Sequence, residues 1–249
     1  MNRYSFFIRP SFLILILGIS LLQYRCSKKM DAALLINKSI AAHGGKEKWG
    51  NVSTITYIKK TILYQPNGEI EQENRQKISH YFQPNSTQIE WERSDVQYKS
   101  IVQNGEIHLF ENGIEVYDSL QLSQVRQSSN GALYVFWQPY KLLDIGTKLE
   151  YEGQTNLLDS LPVHVLKVTY PEGNQNDIWH YFFDAKTFKL SATQVNHEGR
   201  ISLIINEVVE TKTGLYLNKI RKSYFLDSLE KINYLRAAYD YEIQTLIYR

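Results

Sequence analysis

Apolar and polar residues alternate along most of the chain after Val52. In the C-terminal run, the residues predicted to lie on the buried face are apolar: Leu235, Ala237, Tyr239, Tyr241, Ile243 and Ile247. The opposite face carries Arg236, Asp240, Glu242 and Gln244. A period of two residues is typical of a β-strand with one buried face. The 18 Tyr and 10 Phe also favour pleated, half-buried surfaces. The sequence therefore predicts a mostly β protein.

Short turn-forming sequences divide this region into strands. Gln65-Pro-Asn-Gly68 separates a first long run from a second one that ends at Phe82. The further turn signals are Gln83–Ser86, Asn104-Gly105, Asn112-Gly113, Pro171–Asn174, His197–Gly199 and Lys212–Gly214. This spacing predicts a single antiparallel meander of about a dozen strands.

Two segments depart from the alternation and predict helices. Residues 31–43 follow a helical period, with Asp31 as N-cap and Gly44-Gly45 at the end. Residues 119–144 hold helical spacings, with Pro139 as a break. The second segment is predicted to form one or two helices that lie over the sheet as a lid or plug.

The N-terminus has the pattern of a targeting segment. Arg3 and Arg9 precede an apolar stretch from Phe12 to Leu22, which is shorter than the ~20 residues that cross a bilayer. We predict a signal peptide over 1–25, a lipid-modified Cys26, a tether over 26–30 and a domain over 31–249. Arg25 and Gln23 depart from the residues usual before such a cysteine. An uncleaved signal anchor or ordinary cleavage nearby are the alternatives.

Each of these alternatives places the domain outside the cytoplasm. The predicted location is the cell envelope, lipid-anchored and facing the periplasm, with the outer membrane favoured over the inner. Without Arg3, Arg9 and Arg25 the 28 basic residues become 25, against 26 acidic residues. No basic field remains to bind phosphates, so we predict no nucleic-acid partner.

The sequence lacks the common catalytic motifs. It has no Gly-x-Ser-x-Gly elbow, no phosphate-binding glycine loop and no His-Glu-x-x-His helix. We therefore predict no enzyme activity, no cofactor and no metal site. A zinc site assembled from strands, for example by His164 and His180, is left as the alternative of a metal hydrolase.

Aromatic residues supply the main non-catalytic signal. The run Ile178–Phe183 is aromatic on both parities, which predicts apolar contact on both sides of the sheet. The predicted ligand-binding residues are Trp91, Phe110, Tyr134, Phe136, Trp137, Trp179 and Tyr181. The alternative is that these rings only fill a core.

Two motifs carry a family resemblance. His43-Gly44-Gly45 with Trp49 resembles the opening of a family of uncharacterised bacterial envelope lipoproteins, and Trp179–Leu190 resembles the strand, Asp-x-x-Thr turn, strand unit of LolA/LolB-like lipoprotein carriers. The resemblance implies an open (half) β-barrel, helices that plug its concave face, a cavity for acyl chains and no catalysis.

These observations predict a membrane-tethered periplasmic lipoprotein. Its expected ligand is hydrophobic, a lipid or the acyl chain of a lipoprotein, bound without catalysis. An envelope module that docks a partner protein through a sheet edge or an exposed aromatic patch is the alternative from a different class.

Overall fold

A computed structural model describes residues 30–170 and 177–249. Thirteen β-strands form one antiparallel sheet in these residues. The first six strands are β1 Val52–Tyr64, β2 Ile70–Phe82, β3 Asn85–Arg93, β4 Val96–Gln103, β5 Glu106–Glu111 and β6 Ile114–Val116. The other seven are β7 Lys148–Leu157, β8 Leu161–Thr169, β9 Ile178–Asp184, β10 Leu190–His197, β11 Arg200–Glu210, β12 Leu217–Leu226 and β13 Ile232–Tyr248.

The sheet consists of two meanders joined at its centre. Strands β1 to β6 run outward to one edge and β13 to β7 run outward to the other, because β1 pairs with β13. The edge strands β6 and β7 do not pair with each other. The sheet is therefore an open half-barrel, as predicted, but its centre joins the first and last strands.

In the described residues three α-helices accompany the sheet: α1 Ala32–Ala42, α2 Lys46–Asn51 and α3 Ser119–Phe136, followed by a 3-10 turn at Tyr140–Leu143. The Asp31 carboxylate accepts a hydrogen bond from the Leu34 amide at 2.7 Å, which caps α1 as predicted. Asp118 caps α3 in the same way, through the Gln121 amide at 2.8 Å. The helical lid or plug predicted over 119–144 is confirmed, and α2 is an addition.

The predicted turns lie between strands wherever the structure describes them. Pro171–Asn174 falls outside the described residues. The Asp-x-x-Thr turn is also present, since Asp184 Oδ1 accepts hydrogen bonds from the Thr187 amide at 2.7 Å and the Thr187 hydroxyl at 2.8 Å. Side-chain oxygens thus close this turn between β9 and β10.

Apolar side chains pack on both faces of the sheet. We call the face that α3 covers the inner face; Tyr57, Tyr181 and Tyr241 are fully buried there or nearly so. On the outer face, a second apolar cluster is formed by Val163, Val165, Phe182, Ala192 and Leu203. Tyr181 and Phe182 therefore bury opposite sides of β9, as its aromatic pattern predicts.

The prediction that Ile247 shares the buried face of the last strand is wrong. Thr56 pairs with Thr245 whereas Tyr57 pairs with Ile243, so β13 carries a bulge at Gln244. A bulge inserts one residue and exchanges the faces beyond it. Ile247, predicted on the same face as Tyr241, is accordingly 50% exposed.

The predicted signal peptide over 1–25, Cys26 and residues 27–29 of the tether lie outside the described residues. Asp31–Arg249 form one compact unit. None of the helices in residues 30–170 and 177–249 combines the length and the hydropathy needed to cross a membrane.

Candidate ligand cavity under helix α3

Helix α3 packs on the inner face through Val125, Ser129 and Phe136, which are buried, and residues just after its end add further contacts. The Phe136 ring stacks on Tyr57 with centroids 4.0 Å apart, and Gln138 Nε2 donates a hydrogen bond to the Tyr181 hydroxyl at 2.6 Å. Tyr170 links Tyr134 and Tyr181 through hydroxyl–hydroxyl distances of 2.5 and 3.0 Å. Burial raises the pKa of Tyr181 to about 12, so its hydroxyl stays protonated.

A cavity of about 450 Å³ lies between α3 and the sheet. The helix lines it with Ser128, Gly131, Ala132 and Val135, which share one helical face because they are three or four residues apart. The apolar lining from the sheet comes from Ile89, Trp179, Val195 and Ile204. The helix that was predicted as a lid therefore encloses space as well as core.

Two cations line the same cavity, and its lining contains no Asp or Glu. Arg221 is 3% exposed; its Nε donates to Asn206 Oδ1 at 2.9 Å, and it also hydrogen-bonds Tyr241. Lys59 is half-buried, with its ammonium 5.5 Å from the centroid of the Tyr239 ring. Burial lowers the pKa of Lys59, and the like charge of Arg221 lowers it further, while Tyr239 opposes the shift.

Two buried polar atoms at the cavity lack a hydrogen-bond partner within the described part of the chain. They are Gln138 Oε1 and Thr193 Oγ1, and both residues line the cavity. An unsatisfied buried polar atom costs about 1–3 kcal/mol. Both atoms are buried in the wall of the cavity.

The predicted ligand-binding residues lie in several places. Trp179 lines the cavity, and Tyr181 is buried beside it through its bond to Gln138. Phe136 and Trp137 are core residues, 1% and 2% exposed. Tyr134 bonds Tyr170, and Trp91 stacks on Tyr98. Phe110 lines a surface pocket of the sheet between β3 and β5 with Glu90 and Lys99.

The structure therefore brings only part of that set together at the cavity, and a ligand-binding role for the seven stays a prediction. Sequence reasoning did not select Lys59, Arg221, Thr193 or Gln138. The signal for Lys59 was present, because it shares the inward parity of Ile55 and Tyr57. A charged residue among the inward-facing, mostly apolar residues of a strand departs from the usual pattern and indicates a binding site.

A model of a family of unknown function, DUF6503, matches residues 11–200. The chain belongs to this family. No protein with a curated description matches the sequence. The cavity described above is thus a feature of a DUF6503 protein.

Solved structures share the fold of this DUF6503 protein. A LolA superfamily protein from Nitrosomonas europaea is 10% identical with a TM-score of 0.56, covering 88% of this chain and 94% of its own. A DUF1329 family protein from Desulfovibrio piger is 9% identical with a TM-score of 0.51, covering 87% of this chain and 92% of its own. The DUF6503 chain therefore has a LolA-like fold.

The His-Gly-Gly motif and Trp49 join the helices of the DUF6503 chain to its sheet. His43 is 2% exposed; its Nδ1 lies 2.7 Å from the Ser39 carbonyl, and its Nε2 accepts a hydrogen bond from the Leu190 amide at 3.3 Å. Trp49 Nε1 donates to the His43 carbonyl at 3.0 Å. Gly44 has φ +115°, and a Cβ there would lie 2.8 Å from the Gly214 carbonyl oxygen. The motif is structural.

His164 and His180, the suggested ligands of a zinc site, do not lie together. On the paired strands β8 and β9, His164 lies opposite Phe183 whereas His180 lies opposite Lys167, so the two histidines face opposite sides of the sheet. In the described ranges no group of three or more His, Cys, Asp or Glu is placed to hold a metal ion.

A larger cleft of about 690 Å³ lies elsewhere, at the ends of β11 and β13. It is lined by strands β11, β12 and β13 and by Thr211–Thr213, and none of the helices α1 to α3 contributes to its lining. The cavity under α3 is the better candidate site, because ligand pockets enclose most of the ligand surface.

Proposed function

We propose that this protein binds a hydrophobic ligand, a lipid or a lipoprotein acyl chain, between α3 and the inner face of the sheet. The observation that carries the proposal is the cavity of about 450 Å³ between α3 and the inner face of the sheet. Small-molecule sites are largely apolar cavities of ~300–1,000 Å³ with a few polar groups. Ile89, Val135 and Trp179 supply apolar contacts of this kind.

The LolA-like fold supports the same function, since a LolA superfamily protein shares the architecture over nearly its whole length. We further propose that binding occurs without catalysis, in a periplasm-facing lipoprotein tethered through Cys26, with the outer membrane favoured. The sequence pattern of residues 1–26 motivates the tether.

Filling the cavity is expected to abolish lipid binding. Gly131 lines the cavity at an exposed position of α3, has a helical backbone, and a Cβ built there meets no atom within 4 Å. Gly131→Trp can therefore place a ring across the open side of the cavity without backbone strain. Full-length wild-type and variant proteins would be purified in a neutral detergent, and their bound lipid would be extracted and quantified by mass spectrometry. We expect a loss of at least about tenfold in Gly131→Trp, since the ring removes the apolar contacts.

Gly131→Ala is the matched control. It adds only a methyl group and removes a glycine from a helix, so it is expected to stabilise the protein by about 0.5–1 kcal/mol while bound lipid is unchanged. Ser202→Trp fills the cavity from the sheet side and guards against a fold defect specific to α3. Equal lipid content in wild type and in both tryptophan variants would contradict the proposal.

The tether makes a separate prediction. Intact mass of the detergent-extracted native protein is expected to match a chain that begins at Cys26 and carries acyl groups, and Cys26→Ala is expected to lack that mass. An unmodified wild-type chain that begins elsewhere would remove the tether but would leave the cavity proposal intact.

A further inference from the structure

The inner face combines apolar surface with uncompensated positive charge. Lys59 and Arg221 come from β1 and β12 and both line the cavity under α3. Strand β13 lies between them, with Tyr241 opposite Lys59 and Tyr239 opposite Arg221. The two cations are therefore neighbours across one strand of the sheet.

Neither cation has a carboxylate partner. Throughout residues 30–170 and 177–249, no ion pair within 4.0 Å involves Lys59 or Arg221, although nine other pairs are formed. The partners of Arg221 are the neutral side chains of Asn206 and Tyr241. Buried charges are normally paired, because removing a charge from water costs several kcal/mol.

We propose that the ligand is an amphiphile with an anionic headgroup, a carboxylate or a phosphate, for which Lys59 and Arg221 are the counter-ions. This inference rests on the proposed function and names the chemical class of its ligand. The acyl portion packs along Trp179, Val195 and Ile204, and the headgroup lies toward β1 and β12.

The donors of the two cations support this assignment. The Lys59 ammonium and the guanidinium N–H groups of Arg221 that do not bond Asn206 can donate charge-assisted hydrogen bonds to an anionic oxygen. Burial of Lys59 lowers its pKa, and an adjacent anion would restore the charged form.

The test uses photolabelling of the full-length protein in phosphatidylcholine vesicles. Three probes carry a diazirine on a sixteen-carbon chain: palmitic acid, hexadecyl phosphate and hexadecanol. For each probe, the labelled fraction of wild type is divided by that of Lys59→Gln, which cancels the partitioning of the probe into the bilayer. Lys60→Gln is the matched control, because Lys60 is exposed on the other face of β1 beside Glu73.

We expect a wild-type to Lys59→Gln ratio of about tenfold for at least one anionic probe and about one for hexadecanol, since hydrogen bonds to charged groups are the strong ones. Lys60→Gln should label like wild type, and Lys59→Arg should restore anionic labelling. A response to palmitic acid alone assigns the carboxylate, and a response to hexadecyl phosphate alone assigns the phosphate.

Two failures are distinguishable. If hexadecanol labels wild type more than Gly131→Trp but every ratio is about one, the cavity binds apolar chains and the anionic headgroup is wrong. If no probe labels wild type above both Gly131→Trp and Ser202→Trp, the proposed function is wrong and the headgroup assignment falls with it. Arg221→Lys and Arg221→Gln extend the test, with the lysine variant expected to retain more anionic labelling.

Discussion

Trp49→Ala is expected to lower the free energy of unfolding by about 3–5 kcal/mol. Trp49 is 1% exposed; its ring packs edge-on against Trp137 at 4.7 Å and stacks on Tyr140 at 5.8 Å. The substitution leaves a cavity and removes the hydrogen bond to the His43 carbonyl. Urea unfolding followed by far-UV circular dichroism measures the loss without depending on tryptophan fluorescence.

Trp91→Ala is the control of the same residue type. Trp91 is half-buried on β3 and stacks on Tyr98 with centroids 5.1 Å apart, so its loss is expected to cost about 1 kcal/mol. Trp49→Phe should fall between the two, because it retains most of the packing and loses the N–H donor. Equal losses for Trp49→Ala and Trp91→Ala would show that the junction of α2 with the sheet is not a main source of stability.

Mild acid is expected to destabilise the protein through two buried histidines. His80 is 1% exposed, with Nε2 3.2 Å from the Tyr57 hydroxyl and Nδ1 2.9 Å from the Thr87 hydroxyl. Burial lowers the pKa of His80 to about 3, and the charge of Lys141 acts in the same direction. Burial likewise lowers the pKa of His43 to about 4, with Lys189 adding to the shift and the bond to Ser39 opposing it.

The direction follows from proton uptake. Each histidine has a lower pKa in the folded state than the 6.5 of an unperturbed histidine, so below pH 6.5 the unfolded chain binds more protons. Stability is therefore complete above pH 6.5 and falls by about 1.4 kcal/mol per pH unit and per histidine as the pH decreases toward the folded pKa values. Between pH 7.5 and pH 5 the two residues together should remove about 4 kcal/mol.

Urea unfolding at pH 7.5, 6 and 5 would measure this loss. The lowered pKa values of the carboxyl groups of Glu71, Glu115 and Asp184 place their titration below this window. Burial lowers the pKa of His164 as well, so it contributes with the same sign. His80→Gln and His43→Asn should each reduce the pH dependence by roughly half, whatever their stability at pH 7.5. A pH dependence that both variants leave intact would refute the assignment.

The sequence carried enough information for most individual elements. Asp31 and Gly44-Gly45 mark the ends of α1, and the lack of alternation over 119–144 marks α3 and the turn after it. These signals are local, because caps, turns and side-chain periods involve residues only a few positions apart. The turn at Ser94-Asp95, where the residues have φ of 50° and 62°, was not predicted, because it lacks the glycine or asparagine that usually marks positive φ.

The site was less accessible from sequence, because aromatic content does not distinguish a core ring from a ring at a cavity. Phe136 and Trp179 belong to the same compositional signal, yet Phe136 is 1% exposed in the core and Trp179 lines the cavity. The difference depends on where α3 lies on the sheet, which is set by distant contacts such as Phe136 with Tyr57.

The sequence by itself determined the strand periods, the helix caps, the two-faced burial of β9 and the inward parity of Lys59, since each depends on chemistry within one element. Only the tertiary structure decided the pairing of β1 with β13, the bulge that exposes Ile247 and the approach of Arg221 to Lys59. These depend on register between strands that are up to the whole domain apart in sequence. Strand register is selected by how well the whole apolar face of one strand packs against its neighbours. The alternation within a single strand does not contain that information.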